Sequence, residues 1–488
     1  MKNDIKLMDI LEIGIKMAQE TDRNHLLQMI LDKSMEYANC DAGTLYLYEN
    51  EMLKFKLMRT DSLNIRKGEN GENIDLPPVP LREENICAYS AIHREILNIE
   101  DVRTSDMFDF SGPIRYDEMT GYRTKSMLVL PITNHEDKLI GVLQLINAMN
   151  EEGTVICFDS SMEPVILSLA SQAAIVLSNL LFTEEIKQQM WSFTEALAET
   201  VDARTPYNGS HIRNVAKYAG MLVDYFNKLF DEGKETEFFS TQRKEQLVMG
   251  ALLHDIGKMI VPLEVMNKAT RLDAREDAVY ARLSLLRAYY EIDGLNGRLS
   301  KELAEEKIQE IDKVKEIIAK VNGAGFLTDE LLSELESILP LLYDGSYGTI
   351  PYFTEEEKEC LRVRKGTLTE KERGIMESHV EMTDRILSKV HFNSYYADSP
   401  LWAVTHHECL DGSGYPKGLK AEELALESRI LAVADICDAL LASDRPYKKP
   451  MPKEKAFQIM RNMATEGKLD PKVVEYMQAC LEENKKMI

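Results

Sequence analysis

Apolar positions near the amino terminus recur at helical spacing, at Ile5, Met8, Leu11 and Ile15. The pattern then changes to that of strands. Gly43-Thr44-Leu45-Tyr46-Leu47-Tyr48 and Leu53-Lys54-Phe55-Lys56-Leu57 flank the polar Glu49-Asn50-Glu51, which predicts a hairpin. A second pair is predicted at 126–132 and 139–147, joined by the polar stretch 134–138. Strands between helical ends indicate an α+β domain with an antiparallel sheet. From Glu163 to Arg204 the pattern is helical with no glycine, and Pro164 falls in the first turn, where proline is tolerated. Ile166, Leu169, Ala173, Val176 and Leu180 step by three and four, as the seam of a paired helix does. The seam weakens at Thr183 and Lys187 and resumes at Met190 and Leu197. A helix packed on its own domain is the alternative; the expectation is a signalling helix that pairs two protomers.

Residues 205–269 and 363–488 are almost wholly helical in pattern. Between them, 270–362 is rich in Glu, Leu, Lys, Ala and Arg, with glycine-containing breaks at 322–325 and 344–348. Thr354-Glu355-Glu356-Glu357 and Thr369-Glu370-Lys371-Glu372 have the form of capping boxes that open helices. The stretch reads as an inserted helical hairpin or small bundle without catalytic residues.

Composition narrows the function. The 488 residues allow two or three domains, and 58 basic against 82 acidic residues give a net charge of −24. That balance argues against a nucleic-acid polymer or an anionic membrane as the main partner. The seven cysteines show no C-x-x-C spacing and read as reduced thiols of a cytoplasmic protein. The first twenty residues carry charges throughout, unlike a signal peptide. No membrane insertion is expected, because no run of eighteen apolar residues occurs.

Five of the nine histidines form an ordered set with two aspartates: His211, His254-Asp255, His379, His406-His407 and Asp435. Imidazole and carboxylate suit iron, manganese or zinc. Seven such ligands exceed one tetrahedral zinc and suit two metals that share a bridging carboxylate, the arrangement used for attack at phosphorus. Adjacent residues on a helix differ by about 100°, so His254 and Asp255 can share a metal only near a helix end, which Gly257 offers. His406-His407 is expected to end a helix over 401–407. Asp435 lies in the otherwise apolar Leu431-Ala432-Val433-Ala434-Asp435-Ile436, where a carboxylate is costly unless it is paired or metal-bound. His25, His93, His135 and His391 have no ligand neighbours and read as ordinary.

Two resemblances follow. Cys40-Asp41-Ala42-Gly43-Thr44-Leu45-Tyr46-Leu47 and Pro131-Ile132 with Gly141-Val142-Leu143-Gln144-Leu145-Ile146-Asn147 resemble a GAF domain over about 20–180. Asn147, Phe158 and Glu163 fit the pattern of cyclic-nucleotide-binding members, but Ala148 and Met162 depart from it. A different small ligand, or purely structural dimerisation, is therefore the expectation. Residues of about 195–485 resemble the HD-GYP branch of the HD phosphohydrolases. The matching residues are His211, His254-Asp255-Ile256-Gly257-Lys258, His379, His406-His407-Glu408, Asp411-Gly412-Ser413-Gly414-Tyr415-Pro416, Asp435-Ile436-Cys437-Asp438 and Asp444-Arg445-Pro446-Tyr447.

This second resemblance implies a phosphodiesterase that opens cyclic di-GMP to the linear dinucleotide, and often to GMP. It implies one metal on His211, His254, Asp255 and Asp435, with Asp255 bridging to a second on His379, His406 and His407. A hydroxide bridging the two ions would attack. Iron or manganese is expected, with zinc and nickel compatible. Lys258 would face a phosphate oxygen or assist the leaving group, Tyr415 would contact the ligand, and Arg445 and Lys448 would bind phosphate. Three features depart from the family. Tyr207 stands where some members have a third-metal glutamate, so two metals are expected. Cys409 replaces the usual arginine, and an insert of about 90 residues follows Lys268.

The architecture expected is multidomain. A GAF-like sensor (1–180) and a long connecting helix (163–204) precede an all-α HD-GYP catalytic domain (195–488), which carries the helical insertion at 270–362. A homodimer is expected. The alternatives are a catalytically weak receptor for the dinucleotide and a hydrolase of another cyclic dinucleotide.

Overall fold

A computed structural model describes residues 12–20, 22–134, 136–204, 210–442 and 451–484. The chain falls into two compact units, Met1–Gln189 and Met190–Ile488. Of the predicted amino-terminal helix, 12–19 is helical, while Ile5, Met8 and Leu11 lie outside the described residues.

In the first unit, α1 (Arg23–Ala38), α2 (Ile86–His93) and α3 (Ser111–Thr120) pack on an antiparallel sheet. Its long strands are β1 (Cys40–Glu49), β2 (Met52–Thr60), β6 (Met127–Thr133) and β7 (Leu139–Met149). Short β3 (Ile65–Lys67), β4 (Val79–Pro80), β5 (Leu97–Ile99) and β8 (Val155–Ile156) complete it. The order is β3-β2-β1-β7-β6-β5, with β4 beside β2 and β8 beside β7. Both predicted strand pairs form. The first turn is tighter than expected. Glu49 pairs with Met52, and Asn50 and Glu51 take φ of 52° and 59°, the left-handed geometry of a two-residue hairpin.

Alternation along β1 sorts the core into two layers. Leu45 and Leu47 join Leu26, Ile30 and Leu143 on one face, whereas Tyr46 joins Ile86, Cys87, Val129 and Val142 on the other. Helix α4 (Glu163–Asp202) runs without a break. Ile166, Leu169 and Ala173 are buried in the core of their own unit, and Val176 and Leu180 pack against it. The seam predicted to face a second protomer thus packs into the core of its own unit. The segment Ser160–Asp202 is long and apolar enough to cross a membrane by length and composition, a reading that the search for unbroken apolar runs overlooked. A third of its most apolar window, 33%, is buried.

The second unit has one core drawn from both sides of the insertion. Helices α5 (His211–Asp231) and α6 (Thr241–Leu253) contribute Val215, Phe226, Leu247 and Leu252. The short α7 (Leu263–Met266) leads into the insertion. Helices α8 (Glu276–Leu295), α9 (Lys301–Gly323), α10 (Asp329–Ile338) and α11 (Glu355–Leu361) carry a separate core that includes Leu283, Ile311, Leu335, Tyr343 and Phe353. The insertion is not purely helical: β9 (Leu342–Gly345) pairs with β10 (Gly348–Pro351) across the predicted second break. Its two ends are joined by buried Arg271, whose Nε donates to Val363 O at 2.7 Å and whose Nη1 donates to Val321 O at 2.6 Å.

Helix α12 (Glu370–Leu387) follows, and both predicted capping boxes are present, at Thr354 and Thr369. Helix α13 (Ser399–Ala403) ends sooner than expected, so Val404–His407 form a turn. Helices α14 (Leu426–Leu441), α15 (Lys453–Thr465) and α16 (Pro471–Asn484) return to the first core with Val433, Phe457 and Val473.

Candidate metal centre

The seven expected ligand residues converge from five places in the chain. His211 is the first residue of α5. Helix α6 stops at Leu253, His254 is its cap, and Asp255 opens a short 3-10 turn over Ile256–Ile260. The helix end needed for two adjacent ligands is therefore present. Gly257 lets this turn approach α12. Its N–H donates to Thr383 Oγ1 at 3.0 Å, and that hydroxyl donates to His254 O at 3.1 Å. A Cβ at Gly257 would meet His379 O at 1.9 Å, which forbids any side chain there.

The ligand atoms of His211, His254 and Asp255 lie within 4.8 Å of one another, as do those of His379, His406 and His407. Asp255 connects the two groups. Its Oδ2 lies 3.6 Å from His211 Nε2 and 3.3 Å from His254 Nε2, while its Oδ1 lies 3.3 Å from His379 Nε2. Asp435 Oδ1 approaches His211 Nε2 at 3.2 Å, and Asp435 Oδ2 lies 4.0 Å from His407 Nδ1.

Three rings are oriented alike. Nδ1 of His254, His379 and His406 each lies 2.6 Å from a carbonyl three residues earlier, of Ala251, Met376 and Ala403. Because a carbonyl can only accept, Nδ1 carries the proton and Nε2 keeps its lone pair. Those three Nε2 atoms and Asp255 Oδ1 are buried without a hydrogen-bond partner among the described residues. Unpartnered buried acceptors are costly. Four turned toward one another fit cations, and this is the fit that the donor set requires.

The electrostatics divide the donor set. Burial holds the His406 imidazole well below its ordinary pKa and lowers His407 to about 4, so both are neutral donors near neutral pH. Asp255 is fully buried, which opposes its charge, yet His254, Lys258 and His211 keep its pKa well below the carboxylate range. Asp435 is lowered in the same way against its burial, chiefly by His211. For His211, burial is outweighed by Asp255, Asp435 and Asp438, which raise its pKa.

Asp438 had no role in the sequence reading. It stands one turn after Asp435, and its Oδ2 lies 2.7 Å from His211 Nδ1, so it orients that ring. The pair Asp435 and Asp438, three residues apart on one helix face, was the signal available.

Lys258 Nζ lies 2.6 Å from Asp255 Oδ2. The ring of Tyr415 lies 4.8 Å from that of His407, and burial raises its phenol pKa and keeps it protonated. The glycine-rich turn is fixed to the histidine pair. Tyr415 N donates to His407 O at 3.2 Å, and Glu408 accepts from Lys417 N at 2.8 Å and Leu419 N at 2.9 Å. A Cβ on Gly414 would lie 2.5 Å from His407 O. Cys409 is a free, half-buried thiol beside this turn. Arg445, Lys448 and Tyr207 lie outside the described residues.

Family models describing a GAF domain match residues 22–177, and models describing an HD domain match 208–341 and 358–473. A cyclic di-GMP phosphodiesterase of Thermotoga maritima is 38% identical over 150 residues, covering 30% of this chain and 38% of that protein. The cyclic di-GMP phosphodiesterase response regulator RpfG of Xanthomonas campestris is 34% identical over 169 residues, 34% of this chain and 41% of that protein. A 3'3'-cGAMP-specific phosphodiesterase of Vibrio cholerae is 42% identical over 97 residues, 20% of either protein. The match thus spans less than half of these relatives' own lengths.

A solved GAF domain of an Acinetobacter phosphoenolpyruvate-protein phosphotransferase is 15% identical, with a TM-score of 0.29, covering 37% of this chain and 98% of that one. A GAF domain/HD domain protein from Geobacter sulfurreducens is 15% identical, with a TM-score of 0.25, covering 33% and 95%. On the family-model matches, the chain carries an amino-terminal GAF domain at 22–177 followed by an HD domain within 208–473.

Proposed function

We propose that the HD domain is a metal-dependent phosphodiesterase of the HD-GYP type that opens cyclic di-GMP to the linear dinucleotide and onward to GMP. The carrying observation is the pair of ligand groups, each with bare buried donor atoms, that share the two oxygens of Asp255. His211, His254, Asp255 and Asp435 would hold one divalent ion, and Asp255, His379, His406 and His407 a second. Iron or manganese suits this mixed nitrogen and oxygen set, with zinc and nickel also compatible. Such ions would supply Lewis acidity toward the phosphodiester and lower the pKa of water.

The chain's own groups then bind and orient. Lys258 Nζ, beside Asp255, places a positive charge where a phosphate oxygen or the leaving oxygen would sit. Tyr415 offers a neutral phenol as a hydrogen-bond donor and a ring face for a base. Arg445 and Lys448 are proposed to bind phosphate, the arginine through its planar fork. The GAF domain would regulate turnover through a small ligand or through dimerisation. Ile175, Phe182, Ile186 and Phe193 are exposed on α4, seven, four and seven residues apart, a spacing that favours self-association along the helix.

The test is a panel of cyclic dinucleotides assayed with anaerobically purified protein supplied with manganese or ferrous iron. Hydrolysis of cyclic di-GMP that is lost in Asp255→Ala supports the reading. Tight binding without hydrolysis under every metal would make the chain a receptor instead. The 3'3'-cGAMP specificity in the Vibrio relative's name favours a second reading, hydrolysis of a mixed cyclic dinucleotide. Preference for that substrate in the same panel would select it.

A further inference from the structure

The end of the long helix reaches the metal centre at two points that ligand binding does not require. The last third of α4 belongs to the core of the second unit: Ala198 and Val201 are buried there, and Trp191 Nε1 donates to Tyr396 Oη at 3.0 Å. The helix ends at Asp202. Helix α5 begins at His211 with Ser210 as its cap, and Ser210 makes no side-chain capping bond. The first amides of a helix have no partner within the helix itself. Asp202 is buried near this end: burial raises its pKa to about 6, and the amide of Ile212 and the charge of His211 oppose that rise. A carboxylate at a helix amino terminus is favourable both as an acceptor and against the helix dipole. Asp202 is 3% exposed, and its Oδ2 has no hydrogen-bond partner among the described residues.

Two residues later, Arg204 grips the other ligand segment. Its Nη1 donates to Lys258 O at 2.9 Å and its Nη2 to Val261 O at 3.3 Å. These carbonyls close the 3-10 turn that Asp255 opens. One helix end therefore bonds the backbone of the Asp255–Lys258 turn through Arg204 and sets the buried Asp202 carboxylate near the start of α5, and these two segments carry ligands of the same group.

We propose that Asp202 and Arg204 are positioning residues through which the seating of the long helix sets the spacing of His211 and Asp255, and so the metal affinity and turnover of that half of the site. The inference rests on the metal-centre reading above. It gives a helix that begins in the GAF unit a direct mechanical hold on the chemistry.

The test uses the full chain and the variants Asp202→Ala, Asp202→Asn, Arg204→Ala and Arg204→Lys. Manganese affinity is measured by equilibrium titration, and kcat and KM are measured on cyclic di-GMP. The alanine variants are expected to bind manganese roughly tenfold more weakly, the range seen when groups behind metal ligands are removed. Their kcat should fall and their KM stay near wild type. Asp202→Asn keeps an amide acceptor and Arg204→Lys keeps one donor, so both should recover most of the affinity. Wild-type affinity and kcat in folded alanine variants overturn the proposal. If the alanine variants fail to fold, Asp202→Leu and Arg204→Met, which keep bulk and remove the polar groups, take their place: wild-type affinity in both cooperatively melting proteins overturns the proposal, and weakened affinity supports it. If wild type binds manganese but turns over no dinucleotide, the enzymatic reading fails while the affinity comparison still decides this one.

Discussion

His254, His379 and His406 are set by one local device. Each donates Nδ1–H to the carbonyl three residues back, which fixes the tautomer and aims Nε2 at the shared site. Replacing His379 by alanine removes one donor of the second group without touching the first. It is expected to lower metal content toward one ion per chain and to cut turnover at least about 100-fold, as read by elemental analysis and steady-state kinetics on the same sample. Unchanged metal content would remove His379 from the site. Tyr415→Phe keeps the ring beside His407 and deletes the donor, so it should raise KM for the dinucleotide with little change in metal content; an unchanged KM would show that the phenol does not touch substrate. The histidines and Asp435 were legible because ligand chemistry restricts residue type and order. Asp438 was not, because it acts through His211, a partner that only the tertiary fold brings near.

Elements carry the next level of specification. The capping boxes at Thr354 and Thr369 could be read directly, since cap and partner stand three residues apart. The β9–β10 hairpin could not, because four-residue strands leave little periodicity and their pairing needs the surrounding core. On α4 the apolar stripe was read as a buried face, and in the structure it packs in the core of its own unit, the alternative reading. Spacing by three and four shows that a side is buried, and only the assembled core shows against what. The contact between the Asp255 turn and α12 depends on Gly257 having no side chain. Gly257→Ala would push a methyl group into the backbone at His379 O. It should cost about 1–3 kcal/mol or more and weaken metal binding with it. Denaturant unfolding of the apoprotein together with metal titration checks this, and a variant with both properties unchanged would show that the two elements are not held at this distance.

Across the whole second unit, acid should loosen the closure of α5 against α16. Glu235 is buried, which by itself raises its pKa, but Lys472 Nζ at 2.6 Å and the amides of Thr236 and Glu237 lower it from 4.5 to about 2. A folded-state value below the unfolded one gives stabilisation that is full above about pH 4.5 and lost as the pH falls toward 2. Glu235→Gln should therefore cost about 2 kcal/mol near neutrality and much less near pH 3, as measured by urea unfolding at both pH values; an equal cost at both would place the effect in packing. The insertion is a folded module with its own core and joined ends. Replacing residues 272–362 with a short flexible link should leave a cooperative HD core but change turnover or oligomeric state, and no change in either would make the module a passenger. The central claim is that two cations share Asp255. The most direct measurement is manganese titration of wild-type protein and of Asp255→Ala, with cyclic di-GMP hydrolysis followed in the same samples. The account predicts two ions per wild-type chain, hydrolysis that requires both, and loss of both properties in the variant. A wild-type chain that hydrolyses cyclic di-GMP with a single ion, or a variant that keeps two, would contradict it.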